Sequence, residues 1–542
     1  MAKFNKKAAR HSSAPIYEYP TTTEAFTKEL LEEPTATSNY EGGLAFSLSD
    51  KAELFTRVAT SLVGEPKFYC SGEEADDSMI KAIQRVLVAD PEFVLKLAAY
   101  CRNELYLRTV PLVMLTEFAN GMVPRSDADS TLVHPSELVP NSRRYVSKIV
   151  RRADEIPELL AIQLDRNTRY PRKHSKIPML IKNGLRDAFN SFTEYQFQKY
   201  QMHGKSVSMR DALFMVHPRG KTPEQQAVYD RIANGTIGSP QTWEAKLMVE
   251  GASKESWEAA IPSMGYMAIL RNLRNFLKHG VDLNLIAPIL TDPQRVARSK
   301  QFPFRFYSAY RAVMEIPYME IARPQDRTRL LRMLETAIDQ SVINVPRLPG
   351  MTVVAVDVSG SMGKTVSDHS TVTMKDVSAV LGAIAANISD ECLVYPFASD
   401  CDIVPLYSGN VLENAKMILN RSLGYGTEAY KVFQHLIKHE ISVDRIILFS
   451  DMQCYGGAYG SSDISGMFMR YQRDINPNVY MYSVDLAGYG TAVLPERTRN
   501  VVLLSGWNER MLNFIRLFET DAVTMVDEIE RYDQRLFGTP AS

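Results

Sequence analysis

Residues 353–365 read "VVAVDVSGSMGKT": a β-branched apolar run, a carboxylate, two serines and a Gly-Lys-Thr. The run is too short and too valine-rich for an amphipathic helix, and it fits a strand buried on both faces. Asp357 then stands at the carboxyl end of that strand. Similar apolar runs follow at "ECLVYPF" (391–397), "RIILFSD" (445–451), "VYMYSVD" (479–485) and "NVVLLSG" (500–506). Helical patterns separate them, at "MKDVSAVLGAIAANI" (374–388), "AYKVFQHLIKH" (429–439), "ISGMFMRYQRD" (464–474) and "WNERMLNFIRLFE" (507–519). This alternation predicts a doubly wound α/β domain, with helices on both faces of an open, mostly parallel sheet. Ligands in such sheets gather at the carboxyl ends of the strands. Asp357 and Asp451 both fall at that edge.

Two chemistries compete for the opening stretch. A phosphate-binding loop requires G-x-x-x-x-G-K-[ST], and Gly363-Lys364-Thr365 supplies its end. The position five before Gly363 is Val358, however, where the motif needs glycine, and Asp357 would repel the phosphates. The other reading is a cup for a hard cation. In an extended segment, alternate side chains point the same way, so Asp357, Ser359 and Ser361 can converge, with Gly360 allowing the turn. Thr427, between the glycines of "GYGTEAY", and Asp451 of "FSDMQ" can add oxygens from later loops. An all-oxygen set suits Mg²⁺ best. No His or Lys pairs with either serine as a base, and His369 reads as a solvated histidine, so no catalytic residues are expected.

The order D-x-S-x-S, then Thr, then Asp resembles the metal-ion-dependent adhesion site of von Willebrand factor A domains. The resemblance covers residues 350 to about 535. It implies that Asp357, Ser359 and Ser361 bind the ion directly, that Thr427 and Asp451 bind directly or through water, and that an open position accepts a partner's carboxylate.

Before "INVPRLPG" (343–350) the period is different. "DKAELFTRVATSL", "DSMIKAIQRVLVA", "PEFVLKLAAYCRNEL", "TVPLVMLTEFANG", "SRRYVSKIVRRADE" and "IPELLAIQLDR" each place apolar residues three and four apart. Helix starts are expected at Ser49-Asp50, Asp76-Asp77, Asp90-Pro91 and Thr222-Pro223. Strand-like alternation is nearly absent. Short helices over this length read as paired helices stacked in a solenoid, with a compact all-helical domain as the alternative. The expected division is a flexible N-terminal tail over 1–40, the helical repeat over 41–345 and the α/β domain over 346–542.

A chain of 542 residues is too long for one core. Its 45% hydrophobic and 23% charged residues are ordinary for a globular protein. No apolar run of about 18 residues is present to span a bilayer, so no membrane partner is expected. The 5 cysteines show no C-x-x-C spacing, which fits a reduced, cytoplasmic setting.

The net charge of -1 conceals an asymmetry. Residues 346–542 carry 16 Lys/Arg against 23 Asp/Glu, whereas 141–221 carry 17 Lys/Arg against 7 Asp/Glu. In that basic stretch Arg143, Arg144, Lys148, Arg151 and Arg152 are expected on one helix. Arg166, Arg169, Arg172, Lys173 and Lys176 are expected in a loop, followed by Lys182, Arg186, Lys199, Lys205, Arg210, His217, Arg219 and Lys221. Any one such run is usually a solvated face. The accumulation, unmatched by acids, suits a phosphate backbone. A second stretch, 268–332, with 12 basic and 5 acidic residues, could extend the track.

"GGLAFSLSDKAELFTRVATSL", "MRDALFMVHPRGK" (209–221), "PSMGYMAILRNLRNFLKHG" (262–280) and "SKQFPFRFYSAYR" (299–311) resemble the TROVE module. A TROVE module followed by an A domain is the layout of the Ro autoantigen family, including its bacterial and phage-type relatives. The resemblance implies a ring of HEAT-like helical repeats closed by the A domain. It further implies a small non-coding Y-like RNA on the basic outer surface and 3′ ends of misfolded RNA in the central hole. Also implied are a monomeric protein without enzymatic activity, a role in RNA quality control and a 3′-to-5′ exoribonuclease as partner. The match at "MRDALFMVHPRGK" places Arg210, His217, Arg219 and Lys221 near the RNA surface. Met209 stands where relatives often carry histidine. Two other functions fit the residues less well, a metal-dependent protein adaptor and a degenerate P-loop NTPase.

Overall fold

The computed structural model of the chain describes residues 36–38, 44–60, 72–126, 129–169, 177–238, 242–299, 301, 303–366, 370–407, 409–454, 464–494, 500–506, 510–521 and 525–538. Most of the expected tail, together with Arg172, Lys173, Lys176 and His369, lies outside them.

The first half is a succession of helices from Asp50–Ala59 to Pro324–Ser341. Their caps explain where they begin. Ser49 accepts from Ala52 N, Asp90 accepts from Phe93 N before Pro91, and Thr222 accepts from Gln225 N before Pro223. Asp76 and Asp77 are not a start. That helix opens at Gly72 with Glu73 and Glu74 in its first turn, where backbone N–H groups favour negative charge. Consecutive helices pack as neighbours, as Pro91–Asn103 does on Thr109–Asn120 and Met209–Val216 on Pro223–Asn234.

The expected single helix over 142–155 is interrupted. It spans Arg143–Ile149, leaves helical geometry at Val150, and the chain restarts at Glu155–Arg169. The buried carboxylate of Glu155 is the cause. It accepts the Arg151 and Arg152 N–H groups at 2.8 and 3.0 Å, and Arg102 at 2.8 Å, so a tertiary contact replaces the helical bonds. Arg151 and Arg152 therefore lie in a turn and not on the Arg143 helix. Arg166 and Arg169 are helical instead of being in a loop.

Two strand features were not legible in the helical half. A hairpin pairs β3 (Val123–Ser126) with β4 (Asp129–Val133), anchored by buried Val123 and Val133. Within the expected tail, β1 (Ala36–Ser38) pairs with β2 (Leu44–Ser47), and β2 pairs in turn with β9 (Thr491–Ala492) of the second half.

The second half carries a 5-stranded sheet ordered β10-β8-β7-β5-β6, all neighbours parallel. The strands are β5 (Leu348–Asp357), β6 (Ser389–Phe397), β7 (Arg445–Ser450), β8 (Tyr480–Asp485) and β10 (Val501–Ser505). Period-2 alternation divides the core. Val354 and Val356 face helices Met374–Ile388 and Val411–Leu419, in a core continuous with the helical half. Val353 and Ala355 face Tyr430–Lys438 and Ile464–Asp474. The chain leaves β5 toward β6 and then crosses back to β7, so the sheet's switch point lies between β5 and β7.

The chain closes on itself. At one junction Tyr307 Oη and Arg311 donate to Asp376 at 2.7 and 2.9 Å, and Val411 N donates to Asp339 at 2.9 Å. At the other, Ser505 Oγ donates to Thr56 at 3.0 Å and Lys51 pairs with Glu530 at 2.6 Å. Tyr532 Oη also donates to Glu104 there, at 3.0 Å. The α/β domain thus grips both the first and the last helices of the repeat.

Candidate cation cup and nucleic-acid interface

The strand end places Asp357 at the switch point, fully buried. Its Oδ1 accepts from Ser359 N at 2.9 Å, which bends the chain sharply after Val358. Ser359 and Ser361 converge through this bend and not through an extended segment. Gly360 sits at φ -63 and ψ -40, and Ser361–Gly363 form a 3₁₀ turn that brings the two hydroxyls within 3.3 Å. At that φ, the turn does not need glycine. Gly360 N donates to Tyr425 O at 3.0 Å, which fastens the Thr427 loop against this turn. Glycine is required in the second loop, where Gly424 has φ +90 and a Cβ would lie 2.7 Å from Ser399 Cβ. All of Asp357, Ser359, Ser361, Thr427 and Asp451 are buried.

Burial raises both carboxyls. Asp451 is pushed up to about 7 by desolvation and by the charge of Asp357, with Ser361 pulling it partly back. Asp357 is raised by burial against the hydrogen bonds of Ser359 and Ser450. Asp451 Oδ2 is buried without a hydrogen-bond partner among the described residues. Two buried carboxyls, hydroxyl oxygens and an orphaned oxygen are a donor set that a hard cation would satisfy. Among the described residues no group of three or more His, Cys, Asp or Glu is placed to hold a metal ion. Hydroxyls make up the rest of this cup.

A phosphate loop is disfavoured by the same geometry. The N–H groups it would aim at phosphates are already used, Val358 N on Phe397 O, Gly360 N on Tyr425 O and Gly363 N on Gly360 O. Ser450 and Asp485 were missed as supporting residues. Ser450 Oγ donates to Asp357 Oδ2 at 2.6 Å, and Asp485, at the end of β8, adds negative charge beside Asp451. Asp485 follows the same rule that selected Asp357, a carboxylate at the end of a buried strand.

The basic residues divide into three groups. Some are neutralised or covered. Arg143 makes a bidentate pair with Asp187 at 2.6 and 2.7 Å, Lys199 lies 3.5 Å from Glu244, and Arg144 stacks over Phe537 at 4.1 Å. Arg166 is buried against Glu117 at 2.6 Å and is a core ion pair. Others are structural, as Arg186, which donates to Val216 O at 2.9 Å and Asn183 at 2.9 Å. Lys182 and Lys205 are half-buried. The third group is exposed: Arg210, His217, Arg219 and Lys221 have no ion pair to a carboxylate among the described residues.

That third group sits on a rigid loop. His217 ends helix Met209–Val216 in the left-handed region, at φ +52. Asn190 holds Arg219 O at 3.1 Å, Gln226 holds Gly220 N at 2.9 Å and Gln225 holds Lys221 N at 3.0 Å. Gly220 approaches the next helix so closely that a Cβ would lie 2.5 Å from Gln226 N. These positioning residues were not legible, because their polar side chains carry no charge signal. Met209 is buried and offers no polar contact to a ligand.

A closed helical repeat joined to a doubly wound A-type domain, with an oxygen-lined cup and a basic loop, defines the class of protein. Family models specify it further: the TROVE domain matches residues 58–236 and 234–326, and the Ro60 vWA domain matches 351–519. The chain belongs to the Ro family, and membership implies RNA binding. The crystal structure of the Deinococcus radiodurans Ro (RSR) protein shares the fold, with a TM-score of 0.59 at 17% identity, covering 86% of this chain and 99% of that one. Telomerase protein component 1 of Rattus norvegicus is 20% identical over 48% of this chain and 12% of its own length. Its Mus musculus counterpart is 21% identical over 48% of this chain and 13% of its own. The chain thus spans only about an eighth of those relatives. No helix among the described residues is long and apolar enough to cross a membrane.

Proposed function

We propose that this protein is a non-catalytic, monomeric, cytoplasmic ring that binds small Y-like RNA and the 3′ ends of structured or misfolded RNA. Its role is RNA quality control or degradation beside a 3′-to-5′ exoribonuclease. The observation that carries the reading is the pinned 217–221 loop, which with Arg210 presents basic groups that form no ion pair with a carboxylate among the described residues. A pinned backbone keeps several cations on one surface, and several acting together make affinity salt-dependent.

The cup of Asp357, Ser359, Ser361, Thr427 and Asp451 would hold Mg²⁺. When bound, the cation neutralises the two buried carboxyls and offers an oxygen-seeking position to a partner's carboxylate. The residues themselves set that position, Ser450 by fixing Asp357 and the Gly360–Tyr425 bond by holding the loops together. Tyr425, 88% exposed beside the cup, favours a second reading, a metal-dependent protein adaptor.

Binding of a labelled RNA hairpin with a single-stranded 3′ tail decides between them. The RNA reading expects affinity that falls steeply with salt, with a log–log slope reduced by about one in Arg219→Ala. Indifference to RNA together with Mg²⁺-dependent capture of a protein would support the adaptor.

A further inference from the structure

The basic loop adjoins an aromatic ring that folding leaves in water. Helix Met209–Val216 buries Met209, Ala212, Leu213 and Val216, and turns Arg210 and Phe214 outward. Phe214 is 50% exposed, although a ring of this size normally gains from burial. The Arg210 guanidinium lies 5.7 Å from its centroid, one helical turn away. Asp211, the nearest acid in sequence, is turned back onto Ser208 N and Oγ at 2.9 and 2.7 Å. Its carboxylate caps the helix start, and it also feels the charge of the neighbouring Arg210 without forming an ion pair with it.

An aromatic face beside phosphate-seeking cations is the combination that holds unpaired nucleotides: the ring stacks on a base and the cations take the flanking phosphates. A duplex hides its base faces and has no use for the ring. We propose that Phe214 is a stacking platform for an unpaired base of single-stranded RNA, with Arg210 bracketing that base and Arg219 and Lys221 holding its neighbouring phosphates. The inference rests on the RNA reading above and adds a residue that separates single-stranded tails from stems.

Full-length protein is titrated into a fluorescein-labelled hairpin with an oligouridine 3′ tail and into the same stem with a blunt end. Phe214→Ala is expected to weaken the tailed RNA by about fivefold or more and to leave the blunt stem unchanged. Phe214→Trp should keep the tailed affinity, and its added fluorescence should be quenched by oligouridine beyond that of the wild type. Arg219→Ala should weaken both RNAs. If Phe214→Ala and Phe214→Leu bind the tail as tightly as wild type, or lose tail and stem equally, the stacking platform is overturned while the RNA reading stands. Were wild-type protein to bind neither RNA, both would fall. The Trp quenching reads stacking directly, so it decides the matter even where the alanine variant folds poorly.

Discussion

Ser450 donates its hydroxyl to Asp357 Oδ2 at 2.6 Å, joining the carboxyl ends of neighbouring strands β7 and β5 at the sheet's switch point. This bond holds one acid of the cup in place while the next residue, Asp451, is forced close to it. The cup is therefore built at the expense of local stability, and that strain is measurable.

Asp451 has a carboxyl raised from 3.8 to about 7, so folding favours its protonated form. The stability this contributes is complete below the unfolded value and is lost as pH rises through the folded one. In the presence of a chelator, the melting temperature should fall between about pH 4 and pH 7, and Mg²⁺ should restore it at the upper end but not the lower. Asp451→Asn should flatten the decline and abolish the Mg²⁺ response. Thermal melts across pH, with and without Mg²⁺, check both. A decline unchanged in the variant would assign it to other groups.

Asp376 serves two structures at once. One oxygen takes Tyr307 and Arg311 across the junction, and the other takes Thr373 N and Oγ at 2.8 Å to cap helix Met374–Ile388. Asp376→Ala is expected to destabilise by about 2 kcal/mol, because it removes the bonds to Tyr307 and Arg311 as well as the cap, although Arg311 keeps Glu315. Thr373→Ala, which removes the cap alone, should lower stability by about 1 kcal/mol. Urea unfolding of the two variants separates the contributions. Equal losses would show that the junction adds nothing.

Gly220→Ala should weaken RNA binding with little change in melting temperature. The new methyl must push the 219–221 backbone away from Gln226, and the loop is exposed at Arg219 and Lys221. A fluorescence anisotropy titration beside a melt would show the two effects apart. A variant that binds as wild type does would mean the cations need no fixed frame.

Arg166 tests how charge in the sequence becomes charge on a surface. Glu117→Ala should destabilise by about 3 kcal/mol, since it removes the buried carboxylate that both Arg166 and Gln84 bond. Arg166→Met should be milder and should leave RNA affinity unchanged. Loss of RNA affinity in a folded Arg166→Met protein would return this residue to the binding face.

The fold was largely readable because it rests on periodicity, a local property. Val353–Val356, Ile446–Phe449 and Val479–Tyr482 are apolar without a break, as strands buried on both faces must be, and Asp357 and Asp451 follow from the rule about their carboxyl ends. The break at Val150 was not readable, because it depends on Glu155 meeting Arg102 from another helix. Nor was the hairpin at Val123–Val133, whose few buried residues give no alternation.

By itself the sequence determined a helical repeat followed by a doubly wound sheet, the oxygen donors of the cup and a surplus of positive charge over 141–221. Those are properties of composition and spacing, which the chain carries wherever it goes. Only the tertiary structure decided which charges remain available. Arg143 met Asp187, Arg166 met Glu117 and Arg144 met Phe537, while Arg210, His217, Arg219 and Lys221 stayed in water. The carboxylates that neutralise Arg143 and Arg166 lie 44 and 49 residues distant along the chain, and only folding brings them near.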